Sequence, residues 1–414
     1  MVQTRSASKR PAQWPSASAT RPTKPSKLER KRKQSADDAW VDVHPDPQLG
    51  ISRHAWATTV IGISRLLDRG AAGWLHDQGM IECKAQKIHT SIQSWVISYA
   101  IGNVRGLSDQ KLDGIIASLE DYCVQEKWFT LETLFPRRAL KYSGELLAGA
   151  LLQKAVHSAF FENPFWYLDG KSTRDDDSDE GEFAAKLEYL YDRFYETNPT
   201  FATVWKRQTH RLPPNAVFGE YNSQRQEAVV EPLADALLAD EQFCQLLIKG
   251  LTPEEAAERR AYLVDIFGDG VEAMLILEAH LGGHRTIKRL PELEPIYRSD
   301  DKYVGYTYYT TPRDLPHDGR RILLVVRPAI IYSDIEDDYD IPGRTKPNIV
   351  QRAHVLLERN VKSEQEAKEA RRERGEKEDD EEDEQEKEAE DDNGTTAWEK
   401  AKHKKNKERY RRSV

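Results

Sequence analysis

The sequence predicts a mainly α protein: a multi-helical body, a small β-hairpin or sheet near its C-terminal end, and disordered charged tails. Three observations predict it. Between residues 51 and 281 apolar side chains recur at three- and four-residue spacing, the period of a half-buried helix. After Asp300 the pattern changes to stretches rich in both aromatic and β-branched residues. The charge surplus, part of a 32% charged composition, collects at the two ends.

Six segments follow in chain order. Residues 1–40 read as a disordered basic tail. Over residues 1–34 ten basic side chains face the single acid Glu29, with four prolines and almost no aliphatics, so this stretch cannot bury a core. Its end, Lys27-Leu-Glu-Arg30-Lys31-Arg32-Lys33, has the compact basic form of a nuclear-import or nucleic-acid contact. Pro11, Pro15, Pro22 and Pro25 exclude the amphipathic helix of a mitochondrial leader.

Residues 41–168 form a first helical block, with helices expected at 51–67, 87–104, 109–124 and 144–161. Ser108 and Ser143 stand where N-caps belong. Residues 169–181 are an acidic loop. Residues 182–299 make a second helical block, which can belong to the same domain, with helices at 182–195, 230–238 and 241–249. Thr252-Pro-Glu-Glu255 is a capping box with proline at the first helical position, opening a helix to Phe267. A further helix, 271–281, should stop at Gly282-Gly283. Residues 300–360 read as a small β element plus a helix. Tyr303 to Thr310 and Arg321 to Val326, with the turn Pro316-His-Asp-Gly319 between them, should form a hairpin or short sheet, and a last helix is expected at 350–358. Residues 361–414 are a disordered or helical charged tail, with an acidic block at 376–392 and a basic block at 400–412.

The whole chain carries −9, and removing the three charged tail segments leaves about −14 on the rest. An acidic body is poorly suited to phosphate backbones, so contact with nucleic acid or histones is expected through the tails only. Cys83, Cys123 and Cys244 are far apart and odd in number, which suits a reducing compartment. The most apolar run, residues 322–331, is interrupted by Arg327 and Pro328, so no membrane association is expected.

Several motifs resemble chemistry without meeting its requirements. Gly268-Asp-Gly270-Val-Glu-Ala273 matches a dinucleotide fingerprint, but a helix precedes it where a strand is needed, so its glycines read as a helix stop and loop. Gly170-Lys-Ser-Thr173 lacks the earlier glycine of a phosphate loop, that position being Phe165. Asp175 to Gly181 resembles a calcium loop, yet the twelfth position is Leu187 or Lys186 and not Glu. His280 and His284 have ligand spacing beside Glu278, but Gly282-Gly283 should break the helix between them. No G-x-S-x-G or H-E-x-x-H is present, and no catalytic, cofactor-binding or metal residue is assigned. The run Phe160-Phe-Glu-Asn-Pro-Phe-Trp-Tyr167 reads as core that pins a loop. Trp205 to Arg211 reads as a helix whose basic face neutralises nearby acids.

Three stretches, Asn163-Pro-Phe-Trp-Tyr-Leu168, Trp205 to Arg211, and Val326-Arg-Pro-Ala-Ile330 followed by Asp338-Tyr-Asp340 and Ala353-His-Val355, resemble a fungal-specific protein family of unassigned function. The resemblance implies a largely helical body and a narrow lineage, and it carries over no catalytic residue.

The functional expectation is a non-catalytic nuclear adaptor that binds protein partners through an acidic helical body, with a cytoplasmic location as the alternative. Its tails would provide import through Lys27, Arg30, Lys31, Arg32 and Lys33, and weak nucleic-acid or histone contact, the histone contact through the acidic block. The competing expectation is a lineage-specific enzyme or small-ligand binder with a pocket between the helical blocks, its nearest candidates being His210, Arg211, His280 and His284.

Overall fold

Residues 78–168, 182–211, 219–280, 283–307, 309, 317–335 and 345–360 are described by a computed structural model, and all fall in one unit, Ala71–Val414. The charged terminal segments, the helix expected at 51–67 and the acidic loop 169–181 lie outside the described residues, as do the import residues Lys27, Arg30, Lys31, Arg32 and Lys33. The fold is mainly α with a small β portion at its C-terminal end. Among the described residues ten helices come first: α1 (Gln78–Tyr99), α2 (Asp109–Ser118), α3 (Trp128–Leu134), α4 (Arg137–Lys141), α5 (Ser143–Phe160), α6 (Phe183–Thr197), α7 (Pro199–Arg211), α8 (Gly219–Ala239), α9 (Glu241–Gln245) and α10 (Pro253–His280). Six strands follow: β1 (His284–Lys288), β2 (Val304–Tyr306), β3 (Ile322–Arg327), β4 (Ala329–Ile335), β5 (Thr345–Gln351) and β6 (Ala353–Leu357).

The longest helix, α10, begins as its sequence requires. Thr252 Oγ1 accepts from the Glu255 N–H at 3.2 Å, and Glu255 Oε2 accepts from the Thr252 N–H at 2.9 Å, so two otherwise orphaned donors are satisfied reciprocally. The helix does not stop at Phe267. It runs unbroken through Gly268 and Gly270 to His280, which corrects the reading of those glycines as a stop. Gly270 serves helix packing instead: a Cβ there would lie 2.9 Å from Phe160 and 3.0 Å from Val156, so α10 approaches α5 closely only because the side chain is absent. Ser143 is also reassigned. It is the first residue of α5 and caps nothing; its hydroxyl donates to the Leu140 carbonyl at 2.9 Å and accepts from the Val104 N–H at 3.2 Å. Ser108 occupies the N-cap position of α2 without a side-chain cap bond.

Three helices end earlier than periodicity suggests, for one reason. The expected segments 87–104, 109–124 and 241–249 stop at Tyr99, Ser118 and Gln245, because the following residues pair with distant chain. Ile101 N–H donates to Leu246 O and Ile248 N–H to Tyr99 O, both at 2.9 Å, so the ends of α1 and α9 clasp each other. Val124 N–H donates to Leu323 O at 3.0 Å and Val325 N–H to Tyr122 O at 2.7 Å, docking the segment after α2 on β3.

In the β portion the expectation of a hairpin or short sheet resolves as the sheet: β2 and β3 do not pair with each other, but both pair with β6, which lies between them, β2 parallel and β3 antiparallel. The expected helix at 350–358 is instead the end of β5 and all of β6. β3 and β4, separated only by Pro328, run antiparallel to β6 and β5, separated only by Arg352. The four strands form one long ribbon, bent where Pro328 lacks an N–H to contribute to the ladder. β1 extends one half of the ribbon alongside β4, and β2 extends the other alongside β6.

A continuous apolar core joins these layers. It includes Trp95 of α1, Leu152 and Phe160 of α5, Phe267 and Leu277 of α10, and Leu324 and Val325 of β3. Of the aromatic run, Phe160, Phe161, Phe165 and Tyr167 are fully buried, in agreement with the packing role read from sequence. The three thiols are free; Cys83 is exposed and Cys123 is buried.

Candidate functional site

The core face of α10 carries Phe267, Val271 and Met274, and one turn further on it places Glu278 in the same stripe. A carboxylate with no exposure demands compensation, and three elements supply it. From α7, the Lys206 Nζ lies 2.5 Å from Glu278 Oε2. From β1, Arg285 donates to Glu278 Oε1, and from β4 the Tyr332 hydroxyl donates to the same oxygen at 2.8 Å. His210, one turn beyond Lys206 on α7, brings its Nε2 to 4.0 Å from Glu278 Oε2, while its Nδ1 meets the Tyr167 hydroxyl at 2.8 Å. Phe165 stacks on the His210 ring at 5.1 Å. The Lys206 ammonium lies 4.8 Å from the Tyr191 ring centroid and donates to Gly283 O at 3.2 Å.

Electrostatics locks these protonation states. Burial alone would raise the Glu278 carboxyl, but Lys206, Arg285 and His210 outweigh it and hold it down at about 2. Burial, reinforced by Lys206 and Arg285, lowers His210 to about 3, so its imidazole is neutral at pH 7. Lys206 is also pulled down by burial, against the opposing field of Glu278. Burial keeps the Tyr167 and Tyr332 hydroxyls protonated, their ionisation pushed upward. The constellation thus sets Lys206 and Arg285 against the Glu278 carboxylate, with the Tyr332 hydroxyl on that carboxylate and the Tyr167 hydroxyl on His210, whose Nε2 has no hydrogen-bond partner among the described residues.

Of the four residues proposed as pocket candidates, only His210 joins this cluster. His280 ends α10 and His284 opens β1, the break falling between them as the glycine pair requires. The His284 ring packs on Tyr195 at 5.2 Å. Arg211 is the last residue of α7. Among the described residues no group of three or more His, Cys, Asp or Glu side chains is placed to hold a metal ion. Sequence reasoning did place a neutralising basic face on Trp205 to Arg211, and Lys206 fills that role. It missed Arg285 and Tyr332. Glu278 itself was the available signal, being an acid on the apolar stripe of a helix.

A second polar cluster lies at the bend of the ribbon. Arg327 closes β3 and is 5% exposed, with side-chain partners Gln86 Oε1 at 2.7 Å and His354 Nε2 at 2.9 Å. His354 meets His89 of α1 edge to face at 5.4 Å, and His89 Nδ1 lies 3.2 Å from Gln153 Nε2 of α5. Between α1 and the bend is a cleft of about 420 Å³.

Family models, curated proteins and solved structures offer no match to this chain. Function therefore has to be argued from its own surfaces and clusters. Among the described residues no helix is long and apolar enough to cross a membrane.

Proposed function

We propose that this chain works by binding proteins, as a nuclear adaptor whose body engages a partner. The basic N-terminal cluster serves import, and the charged tails give weak contact with nucleic acid or histones. The observation that carries the reading is the outward side of α6. There Tyr189 is 66% exposed, Leu190 43% and Phe194 40%, although Tyr191 on the same helix is buried beside Trp205. Leu190 and Phe194 are four residues apart and therefore adjacent on the helix surface. Aromatic and aliphatic side chains left together in water favour partner contact over scattered exposure. The competing reading, an enzyme or ligand pocket built on His210, is less favoured because that imidazole is fully buried and already engaged by Tyr167.

The test uses the tagged full-length chain and its Tyr189→Glu/Phe194→Glu variant in native extract, with captured proteins identified by mass spectrometry. A stoichiometric partner held by the parent and lost by the equally folded variant is the expected result. A partner set indifferent to the variant would remove α6 from the argument, and an empty capture would remove the adaptor reading. Import is checked separately: cytoplasmic retention is expected when Arg30 to Lys33 are changed to alanine, and an intact chain that stays cytoplasmic would refute it.

A further inference from the structure

We infer that the cleft at the bend of the ribbon binds a small molecule through an oxyanion group, a phosphate or carboxylate, with Arg327 as its principal anchor and Arg352 at its rim. The site is independent of the α6 surface, being lined from α1 and from the bend.

Arg327 is a buried cation without a counter-ion. Its two side-chain partners, Gln86 and His354, are an amide oxygen and an imidazole, and among the described residues no carboxylate lies within ion-pair distance of it. Arg285 marks the contrast: an equally buried guanidinium in the same fold, provided with Glu278. Burial alone lowers Arg327, to about 10, with no acid pulling it back. It remains charged at pH 7, so an unneutralised positive charge is held in a desolvated wall of an open cleft.

The neighbours do not dissipate that charge. Burial, with Arg327 acting in the same direction, holds His89 at about 3; burial, Arg327 and Arg352 hold His354 at about 4. Both imidazoles are neutral at pH 7, and His354 accepts from the guanidinium. Gln351 is turned away, its amide donating to Pro328 O at 2.8 Å. Glu82, the one carboxylate of the lining, is exposed to solvent and does not act on Arg327.

The chemistry of the ligand follows. A metal ion is disfavoured despite Cys83 and His354 in the lining, because Arg327 and Arg352 repel cations. A polynucleotide needs a track of several bases, and the lining holds two. A volume of about 420 Å³ suits a metabolite-sized molecule, within the range of roughly 300–1,000 Å³ usual for such sites. Guanidinium pairs best with the planar or tetrahedral oxygens of carboxylate or phosphate.

The experiment titrates the full-length chain with inorganic phosphate and, separately, with citrate at constant ionic strength, following melting temperature and heat of binding. A saturable rise of about 3 °C or more is expected with one of the two at low-millimolar concentration. Saturation by phosphate assigns a phosphorylated ligand, and saturation by citrate a carboxylic acid. Arg327→Met should abolish the response while melting no lower than the parent, since it removes an uncompensated charge. Arg352→Gln, at an exposed position whose guanidinium also donates to the Asp301 and Val304 carbonyls, should weaken binding about threefold or more. No response to either anion, or an unsaturating rise shared by Arg327→Met, which is a general salt effect, would overturn the assignment. Should Arg327→Met not fold, an Arg352→Gln titration midpoint equal to the parent's would overturn it as well.

Discussion

Replacing Glu278 by glutamine keeps the shape of the cluster and removes only its negative charge. Glu278 has no solvent exposure, and Lys206 and Arg285 both converge on its two oxygens from α7 and β1. In the Glu278→Gln chain the neutral amide can still accept from Tyr332 but balances neither base, so Arg285 is left as a desolvated cation and Lys206, already pulled down by burial, is driven towards its neutral amine. Breaking one partner out of a buried ionic cluster costs about 3–5 kcal/mol, a large share of the roughly 5–15 kcal/mol that stabilises a folded chain. At about 2–4 °C per kcal/mol the melting temperature should fall by roughly 6–20 °C. Lys206→Met should cost less, about 1–2 kcal/mol, because Glu278 keeps Arg285 and Tyr332. A combined Glu278→Leu/Lys206→Met/Arg285→Met chain, with all three of these ionisable side chains removed, should recover most of the Glu278→Gln loss. The assay is urea unfolding at pH 7 followed by tryptophan fluorescence. A Glu278→Gln chain within about 1 kcal/mol of the parent, or one less damaged than Lys206→Met, would refute the account of a charged, mutually compensated cluster.

Two further outcomes follow from the same packing. His89, His157 and His210 are buried with pKa values lowered to about 3, 4 and 3, so the unfolded chain takes up protons first as the pH falls. Their contribution to stability is complete above about pH 6.5 and is lost progressively towards pH 3–4, at about 2 kcal/mol per imidazole between pH 7 and 5. Glu278 does not offset this, because its depressed carboxyl contributes above about pH 4.5 and loses that contribution only as the pH drops towards 2. Denaturant midpoints at pH 7, 6 and 5 should therefore decline, and a flat profile would contradict the buried neutral imidazoles. On α10, Gly270→Ala should destabilise by about 1–3 kcal/mol through its collision with Phe160 and Val156. Gly268→Ala, two residues away with nothing within 4 Å, should stabilise by about 0.5–1 kcal/mol, so equal melting shifts for the pair would refute the packing role of Gly270.

The amino-acid sequence by itself determined the helical class, the start of α10 at its capping box, the burial of the aromatic run at Phe160 to Tyr167, and the basic cluster at Lys27 to Lys33. These are written in short-range terms: a period of 3.6, a side chain reaching three residues along the chain, a run of like charge. Tertiary structure decided where helices stop, because Tyr99, Ser118 and Gln245 are followed by backbone groups whose partners lie far along the chain. It also decided that residues 350–351 and 353–357 are strand, since β2, β3 and β4 supply the ladders that hold them extended. The same holds for both polar clusters. Glu278 was visible as an acid on an apolar stripe, and Arg327 as a base within the most apolar run. Their partners Lys206, Tyr332, Gln86 and His354 stand 72, 54, 241 and 27 positions away respectively. Whether a buried charge is compensated depends on distance in space, which local pattern does not encode. Folding answers that question for Glu278 with two cations, and leaves Arg327 without an anion.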